Sequence, residues 1–156
     1  MGGIHWMNRQ RFQCLKTGLF TGIMMFLCLS VGSSARAESI QIIAHPDQST
    51  VTLSSQNLWA IYGMKTRHWA DGTLIKVFVL PTKHPLHRRF SINALKTYPY
   101  QLDRVWQRLT YSGTGRAPTV VPSEQAMIEA VTSTAGAIGY IDSTTDKGAC
   151  HVVKVQ

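Results

Sequence analysis

Cysteine is nearly absent from most of this 156-residue chain. Cys14 and Cys28 fall within the first 37 residues, and Cys150 stands alone after them. From residue 38 onward no internal disulfide can form, so the core must hold by packing. Cys150 next to His151 is either a reactive or metal-binding thiol or, the simpler reading, a small apolar side chain buried in a C-terminal strand. Acidic residues are scarce, eight against sixteen Lys and Arg. No apolar run reaches the ~20 residues that comfortably span a bilayer. Catalytic signatures are missing as well: there is no G-x-S-x-G, Walker loop, H-E-x-x-H or C-x-x-C. No two carboxylates have acid–base spacing. No enzyme is expected from this pattern, and no cofactor is implied. Internal repeats and low-complexity segments are absent.

The first 37 residues have the organisation of a secretory leader. Arg9, Arg11 and Lys16 form a positive start, Gly18 to Val31 an apolar stretch, and Ala35-Arg36-Ala37 a small-residue cleavage site. A signal peptide over 1–37, cut after Ala37, predicts a periplasmic or secreted protein; an uncleaved anchor is the alternative. Leu27 before Cys28 is too large for a lipoprotein cleavage site. Met7 is a second candidate start. Residues 38–156 are then one domain of 119 residues with one core.

Four of the sixteen basic residues, and none of the eight acidic ones, precede Glu38, which leaves a net charge of +4 on the rest. Ten basic residues lie between Lys65 and Arg116, against only Asp71 and Asp103. Such asymmetry suits a small anion, an acidic partner or a membrane surface, or it is an ordinary solvated face. Nucleic acid is not expected as a partner of an exported chain.

Along the chain, strands and helices alternate. Ser39–Ala44 reads as a strand, His45–Gln48 as a turn and Val51–Leu53 as a short extended piece. Ser54 or Ser55 caps a helix carrying Leu58, Trp59, Ile61 and Tyr62, stopped at Gly63. Thr73–Leu80 is nearly all apolar, as in a parallel strand covered on both faces. A helix starts at Pro85 or Leu86, with Leu86, Phe90, Ala94 and Ile92 inward. After Tyr98-Pro99, the spacing of Leu102, Val105, Trp106 and Leu109 predicts an amphipathic helix. Ser112–Pro118 is a loop and Thr119–Val121 a short strand. Ser123 caps a last helix with Met127, Ala130 and Val131 inward. Gly136 ends that helix, and Ala137–Ile141 and Ala149–Val155 are closing strands. The order predicts an α/β fold: a single three-layer lobe with a mixed, mostly parallel sheet and helices on both faces.

Leu58-Trp59-Ala60-Ile61-Tyr62-Gly63-Met64-Lys65, followed by Trp69-Ala70-Asp71-Gly72, resembles a block of phosphate-type periplasmic substrate-binding proteins. Phe90, Trp106, Gly113, Pro118 and Gly136-Ala137-Ile138-Gly139-Tyr140 follow in the family's order. The resemblance implies a type II periplasmic-binding-protein-like lobe, one of the two that full members possess. It implies non-catalytic binding of a small solute, with a membrane permease as partner. Phosphate-binding members carry Arg-x-x-x-Ser-Gly-Thr after the second strand. Here Leu80 and His84-Pro85-Leu86 occupy those positions. The alternative is a ligand-free module that docks on an envelope sensor or transport protein.

The candidate site is the strand-to-helix turn Lys83-His84-Pro85-Leu86-His87-Arg88-Arg89. Ligands of open α/β sheets bind at this end of the strands, and a helix start with cations beside it attracts anions. Lys83, His84, His87 and Arg88 are the candidate ligands there. Gly139 and Tyr140 join them, because a glycine inside a strand marks close approach by a ligand or by another backbone. Two histidines three apart also resemble half a metal site, but no nearby acid or cysteine completes it.

Overall fold

The computed structural model describes residues 39–48 and 52–156. The expected signal peptide and its cleavage site lie outside these residues. Six strands form one sheet: β1 (Ile40–Ala44), β2 (Thr52–Leu53), β3 (Lys76–Val79), β4 (Thr119–Val120), β5 (Ala137–Asp142) and β6 (His151–Val155). Among the described residues four α-helices connect them: α1 (Ser55–Tyr62), α2 (Pro85–Asn93), α3 (Pro99–Tyr111) and α4 (Glu124–Ser133). None of the helices among the described residues is long and apolar enough to cross a membrane.

The sheet order is β2-β6-β1-β5-β3-β4. Three pairings are parallel, β2 with β6, β3 with β4 and β3 with β5. β1 instead sits mid-sheet and runs antiparallel to both β5 and β6. The mixed, mostly parallel α/β sheet is as expected. The second strand is shorter than expected, because Leu74 is half exposed and only Lys76–Val79 joins the ladder.

Local chemistry sets the helix ends. Ser54 and Ser123 accept the amides of Asn57 and Ala126 at 3.1 and 3.2 Å, each cap contributing about 1 kcal/mol. Gly63 ends α1, but its φ is −78°. What requires glycine there is space: a Cβ would lie 2.9 Å from the Trp59 carbonyl oxygen. The left-handed residue is the next one, Met64, at φ 58°.

All six residues of β5 are buried, and their alternation separates two layers. Gly139 faces α4, where a Cβ would meet Met127 Sδ at 2.5 Å and Val131 Cγ2 at 3.1 Å. Tyr140 points the other way and stacks on Phe90 of α2, with ring centroids 3.9 Å apart. Tyr62 of α1 packs against both rings. The three-layer expectation thus holds: α4 covers one face, and α1 and α2 the other.

Gly139→Ala is expected to destabilise by about 1–2 kcal/mol, since overpacking outweighs the gain from removing a flexible glycine in a strand. Urea unfolding of the single variant and of Gly139→Ala with Met127→Ala measures it. The double variant should lose less than the sum of its parts, because the two side chains compete for one space.

Candidate functional site

β3 ends at Val79, and Leu80 to Lys83 carry the chain to α2. His84 is the N-cap, and its Nδ1 accepts the Leu86 amide at 3.2 Å. Pro85 occupies the first helical position and has no N–H. The first turn therefore keeps at most the His87 amide to offer an anion. Sequence reasoning expected this helix start to attract a ligand, but its own residues have largely spent it.

An open groove of about 810 Å³ runs along the outer face of α2. Thr82 and Lys83 form one end. Pro85, Arg88, Arg89 and Ile92 form the wall at helical spacing, and Tyr98 and Tyr100 form the opposite wall. The two tyrosine rings lie 5.9 Å apart at 21° and are more than half exposed. Lys83 and Arg88 are exposed. Arg89 donates to Asp142 Oδ2 at 2.7 Å. Asp142 also accepts the Thr144 amide and hydroxyl at 3.0 and 2.9 Å. The Thr144 amide foremost, with Arg89 beside it, holds the Asp142 carboxyl below its ordinary range despite partial burial. Arg89 is thus committed to β5, and Lys83 and Arg88 supply the groove's cationic surface.

His87 lies elsewhere than the sequence suggested. It is fully buried, inward with Leu86, Phe90 and Ser91, while Ile92, expected inward, lines the groove. The inner stripe of α2 is Leu86, His87, Phe90 and Ser91, one helical face that places a histidine among apolar neighbours. The Leu80 amide donates to Tyr140 Oη at 2.9 Å, and that hydroxyl lies 2.5 Å from His87 Nδ1. The Tyr140 hydroxyl is thus shared between the Leu80 amide, which donates to it, and His87 Nδ1. Nε2 has no hydrogen-bond partner. Burial, opposed by Asp103 and reinforced by His84, pushes the His87 pKa down. Burial likewise pushes the Tyr140 hydroxyl up.

The six candidates therefore form three groups. Lys83 and Arg88 line the groove. His84 caps α2, with His87 and Tyr140 bonded to each other beneath it. Gly139 belongs to the other layer, under α4, where it is a packing joint. Thr82, Tyr98 and Tyr100 were not anticipated. Two aromatic residues flanking Pro99 just before a helix were the available signal, but their place opposite Arg88 depends on how α2 and α3 pack.

No protein-family model matches the sequence, and no curated protein matches it as a relative. Solved structures do match. A Clostridium perfringens protein assigned as a phosphate ABC transporter substrate-binding protein, with phosphate bound, aligns at a TM-score of 0.61 and 18% identity. That alignment covers 76% of this chain and 45% of the other. An ABC-type phosphate transport receptor from Vibrio cholerae aligns at 0.55 and 16%, covering 76% and 46%. PstS from Borrelia burgdorferi aligns at 0.58 and 16%, covering 76% and 47%. The chain therefore has an α/β fold of the periplasmic-binding-protein kind, spanning less than half the length of each of these solved proteins.

Proposed function

We propose that this protein is a non-catalytic binding lobe that takes a small anionic solute in the groove between α2 and the start of α3. One observation carries the reading. The groove presents Lys83 and Arg88 to solvent, no carboxylate among the described residues lines it, and its third cation, Arg89, is paired with Asp142. The fold likeness to phosphate-transport receptors supports the same ligand class. The solute is held by the Lys83 and Arg88 side chains, since the start of α2 is capped and the Thr82 hydroxyl donates to Asp103 at 3.2 and 3.3 Å. The leader pattern of residues 1–37 supports a periplasmic or secreted setting, where a membrane permease is the partner such a lobe would serve.

Titration calorimetry and thermal shift with phosphate, sulfate and small carboxylates test this. Saturable binding is expected, and ligand at 100 times its Kd should add about 2.7 kcal/mol of stability. Lys83→Met with Arg88→Met should abolish it, while Lys154→Met should not. A flat response to every anion at millimolar concentration overturns the proposal. A second reading, a protein-interaction module for an envelope sensor or transport partner, is favoured by the exposed Tyr98, Tyr100 and Tyr111. Recovery of no envelope protein on immobilised domain counts against it.

A further inference from the structure

A second groove, of about 590 Å³, lies toward the other end of β3. Leu74 to Phe78 form one wall and Gly113 to Thr119 the other. Among the described residues every charged side chain that lines it is a cation: Arg67, Lys76 and Arg116. Clustered cations raise the local positive potential. Between them Leu74 offers apolar surface, with Phe78 and Pro118 buried behind it. Leu74 is 52% exposed.

The groove is held in shape. Arg67 Nη2 donates to the Thr114 carbonyl. It also packs on Gly115, where a Cβ would come within 3.3 Å of it. The loop is closed on α3, because the amides of Ser112, Gly113, Thr114 and Gly115 all donate to carbonyls of Arg108, Leu109 and Thr110. Ser112 donates its hydroxyl to the Leu109 carbonyl at 3.2 Å, and the Thr114 hydroxyl bonds to that of Ser112 at 2.7 Å. Although Ser-Gly-Thr-Gly resembles an anion-cradling loop in sequence, no amide or hydroxyl of this one remains free to hold a small anion. What remains is an apolar slot edged by three cations, one of them fixed in place.

That combination selects a ligand that is apolar and acidic by turns. An extended chain with alternating side chains has this character, because successive residues point to opposite sides. The neighbouring edge of β4 is a poor seat for strand addition. Pro118 and Pro122 flank it, and Val121 turns its amide inward to Val79 at 2.9 Å. We propose that the second groove docks a short extended acidic segment of a partner protein. Its apolar side chains lie on Leu74, and its carboxylates meet Lys76, Arg67 and Arg116. This surface is separate from the α2 groove, so it stands or falls independently of the anion-binding reading.

The test is fluorescence anisotropy of the Glu38–Gln156 domain within the full chain, using a short labelled peptide that alternates Glu with Val. Saturable binding below millimolar protein is expected, weakening in high salt as exposed charge pairs do. Replacing Glu by Gln in the peptide, or reversing the groove with Lys76→Glu and Arg116→Glu, should weaken binding about tenfold. The milder Lys76→Gln with Arg116→Gln should weaken it in the same direction if the reversal disturbs folding. Lys83→Met with Arg88→Met should leave it unchanged. Absence of binding at millimolar protein overturns the proposal, as does equal binding of the Gln-Val peptide. Free glutamate competing as well as the peptide also overturns it and assigns the groove to small carboxylates.

Discussion

Gly136→Ala is expected to cost about 3 kcal/mol or more, and Gly136→Val to abolish folding. Gly136 has a φ of 75°, where an L-residue costs roughly 1–2 kcal/mol. A Cβ would also stand 2.3 Å from the Leu74 carbonyl oxygen and 2.9 Å from Thr73 Cγ2. The first is backbone and cannot swing aside, so overpacking adds roughly 1–3 kcal/mol. Domains of this size have only about 5–15 kcal/mol to lose. The glycine also joins three segments. Its carbonyl accepts the Trp69 indole N–H at 3.0 Å and the Lys76 amide at 3.1 Å. Urea unfolding followed by tryptophan fluorescence measures the loss, and the native emission of Gly136→Ala should shift because the Trp69 bond is strained. An unchanged unfolding midpoint would contradict the close approach of Leu74.

Tyr140→Phe is expected to cost about 2–4 kcal/mol although its ring keeps the stack on Phe90. The Leu80 amide and His87 Nδ1 would lose their hydrogen-bond partner, and a buried polar group left unpaired costs roughly 1–3 kcal/mol. Burial of His87 also makes stability depend on pH. The folded-state pKa of His87 is depressed, so the unfolded chain takes up this proton first. Its contribution is complete above the unfolded value near ~6.5 and is lost as pH falls from there through the folded pKa. Unfolding free energy should therefore drop as pH falls below about 7. His87→Leu should flatten that slope, because the titrating group is gone. Asp142, also depressed, adds a separate loss below about pH 4, which Asp142→Asn removes. Identical slopes for wild type and His87→Leu would contradict the buried, neutral histidine.

Most elements were legible because their signals are local. Ser54 and Ser123 announce helix starts, and the spacing of Leu102 and Trp106 the inner face of α3; Gly136 lies in the turn before β5, two residues past the Thr134 cap rather than at the helix end itself. The central place of β1 was not legible. Alternating strands and helices suggest parallel neighbours, and nothing within Ile40–Ala44 reveals that its partners are β5 and β6. His87 was misplaced for a related reason. Lys83–Arg89 reads as one basic turn, yet helical periodicity sends Arg88 outward and His87 inward. The charge of Arg89 was visible, but its neutralisation by Asp142, on a distant strand, depends on the tertiary fold. Lys83 and Arg88 could be picked as ligands from charge alone. The tyrosine wall that completes their groove exists only once α2 and α3 have packed.

The antiparallel centre of the sheet also constrains how the protein is made. Ile40 pairs with Asp142 and Ile42 with Val153, so β1 leaves the ribosome long before either of its neighbours. At roughly 5–20 residues per second, it waits on the order of ten seconds for β5. Until then its backbone groups and Ile42 and Ile43 have no native partner, and pairing across such a separation is slow. The domain cannot complete its core until β5 and β6 have emerged, and for that interval its first strand is left without its native neighbours.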